Sequence, residues 1–254
     1  MTQILKEVDQ QLKDLLQKSY SIALFVGAGT SVESGIGTFR GEGQMSYFEG
    51  VPPAYLCTVK ALEKSPQLCW KFFNHLYSIL QKSKPSSSHQ FISSWQKEAE
   101  RRKIVRFNVI TSNFDGLLSR AGVEKVQELY GNIDQSICTT CQRLFNTSDI
   151  ISQPIPRCEC GQILKPNFSL LNDYANEKAY DETVAITRGC QIWFLIGTSG
   201  VHKHSLTFTQ AVKSRPRATL VEINPRDSFL TKYVHFSIKG KAEDILPQFD
   251  YVTA

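Results

Sequence analysis

Residues 22 to 40 read Ile22-Ala23-Leu24-Phe25-Val26-Gly27-Ala28-Gly29-Thr30-Ser31-Val32-Glu33-Ser34-Gly35-Ile36-Gly37-Thr38-Phe39-Arg40. The apolar run Ile22 to Val26 has the character of a strand, and the glycine turn that follows is how a chain lets its backbone approach a phosphate. Gly27 and Gly29 have no side chain to hold a pyrophosphate away, and a helix opening near Thr30 or Ser31 would aim free N–H groups at it. The fingerprint is incomplete: Val32 stands where a third glycine belongs, and no spare acid follows at the usual distance. Phe39 and Arg40 deliver an aromatic ring and a guanidinium to the same mouth. The stretch predicts a strand, a tight turn and a nucleotide site.

Outward from this stretch, short apolar runs alternate with helical ones. Val105 to Ile110, Val126 to Leu129, Ile192 to Ile196 and Leu220 to Ile223 read as strands, and Gln67 to Gln81, His89 to Arg101 and Ala242 to Leu246 as helices. The alternation predicts an α/β fold, a Rossmann-like parallel sheet wrapped by helices. Three strands run into polar or glycine loops: Thr111-Ser112-Asn113-Phe114-Asp115, Gly197-Thr198-Ser199-Gly200 and Asn224-Pro225. In an open parallel sheet those carboxyl ends form the ligand crevice, so the loops would share one mouth with Gly27 to Arg40.

With 254 residues, 41% of them hydrophobic and 21% charged, the chain can bury a sizeable core. A single domain over residues 1–254 is expected, with a small insert. The formal charge of +5 is modest, and Arg101-Arg102-Lys103 reads as a solvated helix terminus, so no nucleic-acid partner is expected. Residues 1 to 18 space Ile4, Leu5, Val8, Leu12, Leu15 and Leu16 as one face of an amphipathic helix, unlike a signal or transit peptide. No run approaches the roughly 18 apolar residues a membrane helix needs. A cytoplasmic location follows, where seven cysteines are not a disulfide framework.

Four of those cysteines make a second feature: Cys138-x-x-Cys141, sixteen intervening residues, then Cys158-x-Cys160, with turns supplied by Pro154, Pro156 and Gly161. Two pairs at knuckle spacing suit four thiolates on one tetrahedral zinc ion. With all four positions filled by protein the zinc would be structural, holding a module of about residues 136–164 that is too short for a core of its own. Cys57, Cys69 and Cys190 sit in apolar stretches and read as small core residues.

The glycine turn with Phe39-Arg40, the Thr-x-Asn-x-Asp loop, the cysteine knuckle after it, and the later Gly-Thr-Ser and Ile-Asn strand ends together resemble the sirtuin family over about residues 20 to 248. Pro85-Ser-Ser-Ser-His89 also looks like that family's helix opening, with His89 structural. The resemblance implies a Rossmann-like NAD domain with a zinc module, NAD and an acylated-lysine peptide entering between them. It implies transfer of the acyl group from lysine to ADP-ribose. Carried over by position, Gly27, Ala28, Gly29 and Thr30 would line the phosphates, Phe39 would shield the reactive ribose face and Arg40 would contact the dinucleotide. Asn113 would orient ribose or water, Asp115 would hold the nicotinamide carboxamide, and Ser112 would flank them. Gly197, Thr198, Ser199 and Asn224 would meet the adenosine half, with Ala242 near the adenine.

The departures from the family pattern fall at telling positions. Where the family carries its general-base histidine, this chain reads Leu129-Tyr130-Gly131. A phenol titrates near 10, about three units above an imidazole, so at neutrality it is a poor proton acceptor. Tyr130 marks either a naturally degenerate member or a deliberately inactivated one, and impaired deacylation is expected. A non-catalytic NAD or ADP-ribose sensor, or an NAD hydrolase or ADP-ribosyltransferase, are the alternatives. Ser112 replaces a glutamine, and Asn172 replaces a glycine in the run that offers a strand edge to the substrate peptide. His202, Lys203 and His204 stand where apolar and proline residues are usual; they read as a solvated basic loop rather than a replacement base.

Overall fold

The run after Tyr20 is the middle of a parallel sheet. The computed structural model describes residues 3–37, 46–102, 106–170 and 176–249, with the backbone alone for 3–9. Nine strands are seen among them: β1 (Ser21–Val26), β2 (Arg106–Thr111), β3 (Gln127–Glu128), β4 (Gly131–Cys138), β5 (Leu144–Asn146), β6 (Leu164–Phe168), β7 (Ile192–Ile196), β8 (Thr219–Asn224) and β9 (Phe236–Lys239). Six form one sheet in the order β3-β2-β1-β7-β8-β9, and three form a small sheet in the order β5-β4-β6. All pairings in the large sheet are parallel. Those in the small sheet are antiparallel.

Every residue of β1 is buried. Ile22, Leu24 and Val26 face one hydrophobic cluster with Leu12, Leu16, Trp95 and Phe194. Ala23 and Phe25 face another with Ile110, Trp193, Leu195 and Phe208. A strand covered on both faces has no solvent side, so its sequence is continuously apolar rather than alternating. A third cluster, with Trp70, Phe72, Phe73, Leu117, Ile133, Leu164 and Phe168, lies beneath the small sheet. Trp70 Nε1 donates to the Leu164 carbonyl at 3.0 Å, which ties the helix Pro66–Lys82 to that sheet.

The predicted strands stand within a residue or two of their expected ends, and the helices Gln3–Lys18, Pro66–Lys82 and Ser87–Arg101 cover the predicted ranges. Beyond short helical turns, two further helices of 13 and 11 residues, Glu177–Gly189 and Lys203–Lys213, were not expected. Their buried faces include Thr183, Thr187 and Thr209, residues that disfavour helix and weaken the apolar period. Thr183 and Thr187 return their hydroxyls to the Ala179 and Val184 carbonyls, 2.7 and 2.8 Å away. His235 lies one residue before β9. Among the described residues, no helix is long and apolar enough to cross a membrane.

Candidate functional site

β1 is the strand at which the chain changes direction across the sheet, with β2 on one side and β7 on the other. Val26 is in register with Thr111 of β2 and with Ile196 of β7, so the three loops that follow start at one level. That is the switch point where doubly wound sheets bind their ligands, and the large sheet's strands, counted in chain order, run third-second-first-fourth-fifth-sixth as in the dinucleotide-binding class.

No α-helix opens at Thr30 or Ser31. The chain instead makes two 3₁₀ turns, Ala28–Thr30 and Val32–Ser34, closed off by Gly35 at φ 78°. The cause lies at the Gly27 carbonyl, which an α-helix would offer to Ser31. Here it accepts from Thr30 N at 3.1 Å, Thr30 Oγ1 at 2.9 Å and Asn113 Nδ2 at 3.1 Å, while Ser31 N turns to the Ala28 carbonyl. The two glycines have a packing reason besides any ligand. A Cβ on Gly27 would lie 2.7 Å from the Gly197 oxygen, and one on Gly29 would lie 2.9 Å from Gly197 Cα. Only Ala28 and Gly29, at the tip, are exposed; Gly27 and Thr30 are buried.

The loop after β2 closes onto this turn. Asn113 Nδ2 also donates to Ser31 Oγ at 3.1 Å, and Ser31 Oγ donates to Asp115 Oδ2 at 2.7 Å. Asp115 Oδ1 accepts from Leu117 N at 2.9 Å. Ser31, Asn113 and Asp115 are all buried, so these bonds are shielded from water. Ser112 N donates to the Val26 carbonyl at 3.0 Å, holding the loop against β1. Ser31 is absent from the expected site; its signal was its place in a polar Thr-Ser pair directly after the glycines.

On the other side of the switch point, Gly29 N donates to the Gly197 carbonyl at 2.8 Å. Asn224 Nδ2 donates to the Thr198 carbonyl at 2.9 Å, joining the ends of β7 and β8. Thr198, Asn224 and Ala242 are buried and Ser199 is exposed. Thr38, Phe39, Arg40 and Asn172 lie outside the described residues.

His89 is fully buried and structural in its bonding. Its Nδ1 accepts from Ser86 N at 3.1 Å in a reciprocal helix cap, and Ser86 Oγ reaches the Thr30 carbonyl at 3.1 Å. Burial holds the imidazole down to about 4, so it is neutral at ordinary pH. Cys57, Cys69 and Cys190 are buried core residues as expected, and burial pushes Cys69 and Cys190 up to about 11.

Tyr130 is half-buried at the seam between the two sheets. Its carbonyl accepts from Ser169 N at 2.7 Å, while Leu129 N donates to the Thr111 carbonyl at 3.0 Å, so the residue stands beside the end of β2. Burial pushes the phenol up to about 12, further from the range of a useful base. Its hydroxyl lies 3.1 Å from His204 Nδ1. The expectation of a solvated basic loop is therefore corrected at His204. Lys203 opens the helix Lys203–Lys213, and His204 shares a face with the buried Phe208 and Val212. The spacing 204, 208, 212 that would have shown this face is masked in the sequence by the polar residues around it.

Cys138, Cys141, Cys158 and Cys160 come together, their sulfurs all within 4.8 Å of one another. Closest approaches are 3.6 Å for Cys138 to Cys160, 3.5 Å for Cys141 to Cys158 and 3.9 Å for Cys141 to Cys160. Tetrahedral sulfurs at a zinc bond length of about 2.3 Å stand about 3.8 Å apart, so the donor set fits that ion. The backbone N–H groups of Thr140 and Cys141 point at Cys138 Sγ and lower its thiol to about 6, favouring the thiolate a metal takes.

Comparison with known proteins matches residues 27–203 to the family model described as Sir2 family. The NAD-dependent protein deacylase 2 of Pyrobaculum aerophilum is 32% identical over 236 residues, 92% of each chain. The NAD-dependent protein deacylase of Pyrococcus furiosus is 31% identical over 249 residues, 94% of this chain and 95% of that one. Among solved structures, a Sir2 homolog–NAD complex superposes with a TM-score of 0.83 at 28% identity, covering 96% of this chain and 93% of the other. The chain belongs to the Sir2 family, the sirtuins.

Proposed function

We propose that this chain is an NAD-dependent protein-lysine deacylase, moving an acyl group from lysine to ADP-ribose, and that the phenol at position 130 slows its acyl-transfer step. One observation carries the reading: the exposed Ala28-Gly29 tip and the buried Ser31, Asn113 and Asp115 network converge at the aligned ends of β1, β2 and β7. The relatives' names and the NAD complex of a structural neighbour support the choice of cofactor and reaction.

NAD, when bound, supplies a ribose carbon that the acyl oxygen can attack as nicotinamide leaves. The chain's own residues do the rest. Gly27, Ala28, Gly29 and Thr30 would bring backbone to the phosphates, and Thr198, Ser199, Asn224 and Ala242 would line the adenosine half. Asn113 spends its amide hydrogens on Gly27 and Ser31, which leaves Oδ1 as the acceptor for ribose or water. Asp115 keeps acceptor sites beyond its two bonds, enough for the nicotinamide amide. Tyr130 Oη is the group presented to the ribose hydroxyl whose proton must leave. Cys138, Cys141, Cys158 and Cys160 would hold one structural zinc.

The test incubates the protein and Tyr130→His with NAD and an acetyl-lysine peptide, with freed lysine and acetyl-ADP-ribose read by mass spectrometry. Slow product formation, rising by about 10²-fold or more with the imidazole, is expected, in line with the worth of a placed general base. Nicotinamide release without deacylation in both forms would reassign the site to NAD hydrolysis or ADP-ribosyl transfer. Binding of NAD without turnover in either would make it a sensor, and no NAD uptake by folded protein would overturn the reading.

A further inference from the structure

The contact between Tyr130 and His204 is built from several sides. The two rings stack with centroids 5.9 Å apart and planes at 26°, and the Tyr130 hydroxyl lies 3.1 Å from His204 Nδ1. Tyr180, from the helix Glu177–Gly189, meets His204 edge-on at 5.2 Å, and Phe208 packs at 6.3 Å. His202, which caps the helix Lys203–Lys213 that carries His204, lies 5.4 Å from the Tyr130 ring. His204 is thus flanked by Phe208 on its own helix and Tyr180 on the preceding one, besides Tyr130 itself.

We propose that Tyr130 and His204 form a proton relay, in which the phenol touches the ribose hydroxyl and the imidazole, one hydrogen bond further out, is the terminal proton acceptor. This rests on the deacylase reading. The hydroxyl O–H bond breaks as its proton passes to Tyr130 Oη, and the phenolic proton passes to His204 Nδ1, so the tyrosine stays neutral and the imidazole becomes imidazolium. The freed oxygen bonds to the acyl carbon, the bond from that carbon to the lysine nitrogen breaks as the proton returns from His204 Nδ1 through Tyr130 Oη to the departing nitrogen, and a water molecule adds to the acyl carbon and releases a proton to solvent, leaving free lysine and acyl-ADP-ribose. Tyr130 is the catalytic residue; His204 acts through it and is a positioning residue.

Charge around the pair suits this direction of transfer. Burial, with Lys203 and His202 adding positive charge, holds the His204 imidazole below its ordinary range. Tyr180 and Tyr130 are the titratable side chains packed on its ring. The imidazole is thus neutral near pH 7, and its tautomer protonated on Nε2 leaves Nδ1 free to accept the phenolic proton.

The first test uses the unliganded protein. Nitrogen-15 NMR is expected to show His204 protonated on Nε2 with Nδ1 accepting a hydrogen bond, and Tyr130→Phe to abolish that bond's shift. The second uses single-turnover acyl transfer. His204→Asn and Tyr130→Phe are each expected to lower it by about 10²-fold, and the double variant no further. In the parent protein the rate should rise with pH as the imidazole deprotonates below 6.5 and then level; in His204→Asn that limb should vanish. Nicotinamide release precedes the proton step and should persist in both variants. No nicotinamide release from the parent overturns the deacylase reading and the relay with it. Release with unaltered acyl transfer, a pH limb that survives His204→Asn, or His204 resonances indifferent to Tyr130→Phe overturns the relay alone. Should His204→Asn fail to fold, Tyr130→Phe tests the same bond from its other end.

Discussion

Replacing Gly27 by alanine isolates the packing between the glycine turn and the turn after β7. Gly27 has extended backbone angles, φ −117° and ψ 179°, which alanine adopts without strain. Alanine also restricts the unfolded chain, and on that account alone it would stabilise by about 0.4–1 kcal/mol. Against this stands overlap. The new methyl would lie 2.7 Å from the Gly197 oxygen and 2.8 Å from both Thr198 Cα and Cβ. Two of those three atoms are backbone, so the turn must move rather than a side chain rotate, which costs about 1–3 kcal/mol. The net expectation is a loss of up to about 2.6 kcal/mol, or up to roughly 10 °C in Tm at this chain length. Differential scanning calorimetry reads the first effect. NAD titration reads the second, because a displaced Gly27–Thr30 tip should bind the dinucleotide more weakly. A Gly27→Ala protein as stable as the parent and unaltered in NAD affinity would refute the reasoning.

Stability should fall with acid through His89. Its folded value, about 4, lies below the ordinary 6.5, so between these pH values the unfolded chain takes up a proton that the folded one refuses. Stability from this group is therefore full above about 6.5 and declines at up to about 1.4 kcal/mol per pH unit toward 4; chemical denaturation at several pH values should show the slope, and His89→Gln should lose it. Metal analysis should find about one zinc per chain, lost when Cys138 and Cys141 are both changed to serine, with protease cutting first within residues 136–164. Phe208→Ala, which empties a fully buried site against Phe25 and Tyr180, should cost about 3–5 kcal/mol by thermal or urea unfolding, and its effect on His204 should appear as weakened acyl transfer.

Strands β1, β7 and β8 were legible because both of their faces are buried, which leaves an apolar run that has few other homes. The cysteine cluster was legible for a different reason: four thiols at knuckle spacing are a local pattern, and the turns that bring each pair together are a few residues long. The helices Glu177–Gly189 and Lys203–Lys213 were not legible, since threonines and alanines fill part of their buried faces and blunt the period. The turn after Gly27 was misread as a helix start because its carbonyl is claimed by Asn113, a residue 86 positions away.

A local pattern of residues was enough for the central strands, the glycine tip and the thiol cluster, because each depends on side chains close together in the chain. The bonds joining Ser31 to Asp115 and Tyr130 to His204 span 84 and 74 positions. Such partners are chosen by the register of parallel strands and the packing of helices upon them, so only the folded chain could turn a histidine on an apparently solvated loop into the neighbour of a half-buried phenol.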